Sequence, residues 1–85
     1  MERNEIKDRI VKLCLEVMNV TEESNIAESK NLVDDFGLNS IMFITLIVEI
    51  EDDFDITIPD QLLSVEHFNT IDAAVDIVSK LSLNN

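Results

Sequence analysis

Apolar residues recur every three or four positions in three separate stretches of this chain, and nowhere do they alternate long enough to specify a sheet. In the first stretch Ile6, Ile10, Leu13, Cys14 and Val17 keep this spacing, with Lys7, Asp8, Arg9, Lys12 and Glu16 between them. A repeat of 3.6 residues gathers such a set on one face of a helix, so a helix is predicted from about Asn4 to Met18. A second opens at Asn39 or Ser40, either of which can cap it, and runs to roughly Phe54. Its core stripe is Phe43, Leu46, Ile47, Ile50 and Phe54. A third begins after Asn69 or Thr70, with Ile71, Ala74, Val75, Ile77, Val78 and Leu81 inward and Asp72, Asp76 and Lys80 toward water. Asp60 to Val65 forms a short additional helix. Ile56-Thr57-Ile58 alternates, but Pro59 ends it after three residues, so it reads as a linker. The fold class is all-α, a bundle of three main helices and one short one with a long first loop.

At 85 residues with 46% apolar content, the chain can build one core, without room for a deep internal active site. A single domain over 1–85 is expected, with 82–85 as a disordered tail. Cys14 is the only cysteine and His67 the only histidine, which excludes a disulfide framework and a structural zinc site. The start, Met1-Glu2-Arg3-Asn4-Glu5, lacks the layout of a signal peptide, and no apolar run reaches membrane-spanning length. A soluble, monomeric cytoplasmic protein is expected.

The formal net charge of −12 excludes nucleic acids and other phosphate-rich polymers as partners. Its distribution is uneven. Arg3, Lys7, Arg9 and Lys12 lie near the start. Between Lys30 and Lys80 there is no basic residue, while Asp34, Asp35, Glu49, Glu51, Asp52, Asp53, Asp55, Asp60, Glu66, Asp72 and Asp76 all fall inside that gap. Such a field either keeps the molecule dispersed or steers basic partners toward it.

Periodicity lapses from Asn19 to Asn39, a long connection that Ile26, Leu32, Val33 and Phe36 are available to pin. Gly37, the only glycine, sits just before the second helix, where a tight turn needs positive φ. That helix carries a further apolar set, Ile41, Ile44 and Val48, away from its core stripe. Either short neighbouring helices cover this set or a partner does.

Enzymatic constellations fail on inventory. A Ser-His-Asp site would have to use His67, and Gly37-Leu38-Asn39-Ser40-Ile41 lacks the second glycine of a nucleophile elbow. Asp52, Asp53 and Asp55 look like the opening of a calcium loop, but Ile58 and Ser64 stand where that loop needs glycine and glutamate, so no metal site is expected. What remains is Ser40 at a helix start. Free amides and the positive end of the helix dipole suit a phosphodiester there. On spacing alone, a serine that merely caps the helix is the commoner case.

The run Val33-Asp34-Asp35-Phe36-Gly37-Leu38-Asn39-Ser40-Ile41 resembles the attachment motif of the acyl and peptidyl carrier proteins, a glycine followed by Asp-Ser-Leu. Glu49-Ile50-Glu51-Asp52-Asp53-Phe54-Asp55-Ile56-Thr57-Ile58-Pro59-Asp60 is similar to the acidic end of that family's second helix, at the family's separation, and Asn69-Thr70-Ile71-Asp72-Ala73-Ala74-Val75 resembles its last helix. The resemblance implies a non-catalytic carrier. Ser40, beside Asn39 and Gly37, would receive 4′-phosphopantetheine from coenzyme A through a phosphopantetheinyl transferase. The thiol of that arm would hold an acyl or aminoacyl cargo as a thioester.

The same resemblance makes Ile41, Ile44, Val48, Glu51, Asp52 and Asp60 a docking surface for loading and condensing enzymes with basic patches. In carriers that sequester cargo, the cargo lies between the second and third helices, where Phe43 would obstruct it. Asn39 in place of aspartate, Thr45 in place of an acidic residue and Ile41 in place of leucine favour polyketide or nonribosomal peptide assembly over housekeeping fatty acid synthesis. The alternative from another class is an unmodified helical adaptor using the same acidic and apolar face.

Overall fold

The computed structural model describes residues 2–83, and its described elements are helices and turns without a strand. In order they are α1 (Arg3–Met18), α2 (Glu23–Ala27), α3 (Leu32–Phe36), α4 (Ser40–Phe54), two single 3₁₀ turns (Asp60–Leu62 and Val65–His67) and α5 (Ile71–Leu83). The three long helices are the three periodic stretches, and α1 packs against both α4 and α5.

Each long inter-helix boundary is set by a residue that can leave the right-handed helical region. Asn19 ends α1 at φ 55° and Asp55 ends α4 at φ 53°; Gly37 ends α3 at φ 71°. Asparagine and aspartate tolerate this conformation better than other side-chain-bearing residues, and glycine adopts it without strain.

The connection 19–39 is more structured than its sequence suggests. It contains α2 and α3, each only five residues long, too short to show a helical period. Asn31 caps α3, its side-chain oxygen accepting from the amides of Val33 and Asp34 at 2.9 and 3.1 Å. The Ser29 hydroxyl donates to Asp35 at 2.7 Å, and the Leu32 amide donates to the carbonyl of Asn69 at 2.7 Å, tying the loop to the start of α5. Ile26 and Leu32 are buried pins as expected. Val33 is not one, because it faces solvent, and Phe36 is only half-buried; Leu38 fills the remaining place.

Two further expectations are corrected. The proposed short helix at 60–65 is instead two 3₁₀ turns, broken at Leu63 and Ser64, with Phe68 buried immediately after them. The tail expected to fray from Ser82 continues the helix through Leu83; Asn84 and Asn85 lie outside the described residues. On α1 the buried face is Ile6, Ile10, Val11, Cys14 and Met18, rotated slightly so that Leu13 and Val17 lie at its margin.

The basic start of the chain is partly spent within the molecule. Arg3 pairs with Asp76 of α5 at 2.7 Å. Arg9 pairs with Asp53 of α4 at 3.1 Å and lies over the Phe54 ring, 5.5 Å from its centroid. Both arginine side chains are about half exposed, so these contacts orient the helices more than they stabilise them.

Candidate functional site

Asn39, and not Ser40, caps α4. Its side-chain oxygen accepts from the Met42 amide at 2.9 Å, while the Phe43 amide donates to the Asn39 carbonyl at 2.8 Å. Ser40 is the first helical residue, it is exposed, and its hydroxyl makes no hydrogen bond among the described residues. The reading of this serine as a simple cap is thereby removed. With Met42 and Phe43 engaged, the amides of Ser40 and Ile41 in the first turn have no partner within the helix, and the dipole there favours negative charge.

Gly37 positions this start. It closes α3 in the left-handed conformation, with its amide donating to Val33 at 2.9 Å, and buried Leu38 anchors the next residue, so the chain turns sharply and presents Ser40 outward. No atom lies within 4 Å of where a side chain at Gly37 would begin, so φ is the only demand on this position.

The apolar set away from the core stripe is uncovered. Ile41 is 78% exposed, Ile44 62% and Val48 55%. Leu63, which the sequence reading did not single out, is also exposed and stands across from α4. With Phe43, Ile44, Ile47 and Val48 it lines a groove of about 200 Å³. Ile44, Ile47 and Val48 follow Ser40 by four, seven and eight residues, so the groove runs along the helix face that Ser40 heads.

The expected acidic docking positions divide. Asp52 and Asp60 are exposed. Glu51 is half-buried, and its carboxylate accepts from the Ile58 amide at 2.8 Å, so it also secures the segment that buries Ile56 and Ile58. No sequence pattern marks this contact, because it spans a loop. His67 is exposed, at the end of the second 3₁₀ turn. Cys14 is buried in the core, where desolvation pushes its thiol up to about 12, far from a reactive value. Among the described residues no cluster suited to a metal ion is found.

A family model described as "Phosphopantetheine attachment site" matches residues 8–78. The chain belongs to this family. It is 35% identical over 80 residues to the "Acyl carrier protein" of Chlorobium phaeovibrioides (strain DSM 265 / 1930), covering 94% of this chain and 99% of that one. To the "Acyl carrier protein" of Chlorobium luteolum (strain DSM 273 / BCRC 81028 / 2530) it is 34% identical, with the same coverage. The cofactor of this chain is 4′-phosphopantetheine, covalently attached. The start of α4 fits such a group, with an exposed hydroxyl, two free amides for phosphate oxygens and an apolar groove below them. Among the described residues no helix is long and apolar enough to cross a membrane.

Proposed function

We propose that Ser40 carries the phosphopantetheine arm, and that the chain is a non-catalytic acyl or aminoacyl carrier that shuttles its cargo between biosynthetic enzymes. The observation that carries this reading is the exposed, unbonded Ser40 hydroxyl at the start of α4, with the capping role taken by Asn39. The relatives named acyl carrier protein support an acyl cargo. When bound, the group supplies a terminal thiol that holds the cargo as a thioester.

Loading needs a separate transferase. The Ser40 oxygen attacks the phosphorus nearer the pantetheine in coenzyme A, a new phosphoester bond forms, the bond to the nucleoside bisphosphate breaks, and that half leaves with the electron pair. The serine proton passes to a base of the transferase. The chain's own residues would orient this exchange, since the Ser40 and Ile41 amides at the start of α4 would receive the phosphate oxygens and the left-handed Gly37 sets the turn that leads to Ser40.

Ile41, Ile44 and Val48 form the apolar centre of a docking surface, and Asp52 and Asp60 its charged margin. Partners are the transferase and the loading and condensing enzymes, with basic patches that match the acidic field. A cytoplasmic location and a monomeric state accord with this role. Asn39, Ile41 and Thr45 favour a specialised polyketide or nonribosomal peptide pathway. Thr45 turns its hydroxyl onto the Ile41 carbonyl at 2.9 Å and presents no charge to a partner.

The test is intact mass before and after incubation with coenzyme A, magnesium and a broad-specificity phosphopantetheinyl transferase. One added phosphopantetheine on the parent and none on a folded Ser40→Ala variant are expected. Addition to Ser40→Ala would place the arm elsewhere, and no addition to the parent with several transferases would favour the adaptor.

A further inference from the structure

Asn39 uses only one end of its side-chain amide. Its Oδ1 accepts from the Met42 amide at 2.9 Å, and because an NH2 group cannot accept from a backbone N–H, this bond fixes which end of the side chain faces the helix. The Asn39 carbonyl accepts from the Phe43 amide at 2.8 Å, which holds the backbone of the residue as well. Nδ2 is left with its donors unbonded among the described residues, on an exposed residue that directly precedes Ser40. A phosphodiester on Ser40 would add negative charge to a chain whose formal net charge is already −12. Asp34 and Asp35 lie exposed on α3 shortly before it, and no Lys or Arg occurs between Lys30 and Lys80. Arg3 and Arg9 of α1 are paired with Asp76 and Asp53. Within this stretch of chain, then, the donors open to the phosphate are neutral: the Ser40 and Ile41 amides and Nδ2 of Asn39.

From this we infer that Asn39 has two roles divided between the two ends of its amide: Oδ1 caps α4, and Nδ2 donates to a phosphate oxygen of the arm on Ser40, holding the root of the arm at the helix start. The inference rests on Ser40 bearing the arm. A hydrogen bond to an ionised acceptor is stronger than one between neutral groups, so the phosphate gains more from Nδ2 than water does. Aspartate would cap the helix comparably, but it offers no donor and sets a second negative charge beside the phosphate. With asparagine the arm pivots beyond its phosphate and not at the serine side chain, so the thiol swings from a fixed point on the surface.

The experiment loads the full chain from coenzyme A with a broad-specificity transferase, confirms one arm by mass, and compares the side-chain NH2 resonances of Asn39 and Asn31 by NMR with and without the arm. Asn31 is the internal control, because its Oδ1 caps α3 in the same manner, accepting from Val33 and Asp34, with no serine directly after it. The expected result is that the Asn39 NH2 protons move downfield and exchange with water more slowly on loading, while those of Asn31 do not change. In parallel the melting temperature of the parent rises on loading by about 2–6 °C, the range for an anion held at a helix start in a domain of this size. Asn39→Asp, which keeps the cap and removes the donor, loses that rise, and the deficit persists in high salt, where repulsion between charges is screened. An Asn39 NH2 group that responds no more than that of Asn31 overturns the inference while loading at Ser40 stands, as does an Asn39→Asp deficit that is absent or vanishes in high salt. If Asn39→Asp takes no arm, the NMR comparison on the parent decides alone. A parent whose mass shows no arm overturns both the inference and the reading it rests on.

Discussion

The Glu51 carboxylate of α4 accepts a hydrogen bond of 2.8 Å from the amide of Ile58, seven residues on. Ile58 is 2% exposed, so its amide has little access to water and depends on this acceptor. Glu51→Ala should therefore cost about 1 kcal/mol, read as a fall in melting temperature of roughly 4–8 °C. Glu51→Gln keeps an oxygen at the same reach and should unfold near the parent temperature while still removing one charge from the acidic field. If both variants melt together with the parent, the contact does not secure the Ile56 to Ile58 segment.

The cap of α4 gives a second prediction. Asn39→Ala removes the oxygen that satisfies the Met42 amide and should destabilise the protein by about 1 kcal/mol, whereas Asn39→Asp should stay within a few tenths. Ser40→Ala leaves the cap in place and should melt within about 0.5 kcal/mol of the parent. Chemical denaturation of the three variants checks the order. A large loss in Ser40→Ala with none in Asn39→Ala would return the capping role to the serine.

Three of the helices are legible because their apolar period persists over three or more turns, whereas Gly37, Asn39 and Ser40 at a helix start suggest no more than a cap on spacing alone, and the reading of Ser40 as an attachment point comes from the resemblance of 33–41 and 49–60 to carrier proteins. What was missed has physical causes. α2 and α3 span five residues each and show no period, although Asn31 and Gly37 bracket α3 as cap and terminator. Leu63 and Phe68 belong to a segment of 3₁₀ turns whose side-chain directions do not follow either helical or strand spacing. The pairing of Phe43 with Phe68, and of Glu51 with Ile58, joins elements through loops whose course the sequence does not state.

Docking should separate into an apolar and a charged component. Ile44→Ala removes exposed apolar surface at the centre of the proposed interface and should raise the KM of the transferase several-fold with little effect on carrier stability. Asp52→Asn or Asp60→Asn at the margin should mainly slow association, with an effect that fades as salt is added. Loading rates measured at low and high ionic strength distinguish them. A salt-independent loss in the aspartate variants would show that they act through direct contact in place of steering.

Cys14 supplies a prediction about pH and about labelling. In the unfolded chain its thiol titrates near 9.0, whereas burial in the folded protein pushes it up to about 12. Between these values the unfolded state releases a proton that the folded state retains. Stability from this group is thus complete below about pH 9 and is lost as pH rises toward 12, at about 1.4 kcal/mol per pH unit within the window. Cys14→Ala lacks this component, so the difference between its denaturation free energy and the parent's should shrink as pH is raised from 9 to 11. Equal slopes in the two proteins would show that the thiol titrates alike in both states. The same burial protects Cys14 from alkylation at neutral pH in the native protein. In the carrier bearing phosphopantetheine without cargo, a thiol reagent should therefore add once, on the arm's free thiol, and mass after fragmentation should leave the Cys14 peptide unmodified. Addition at Cys14 under native conditions would mean that α1 opens readily from α4 and α5, which the burial of Ile6, Ile10 and Val11 beside it opposes.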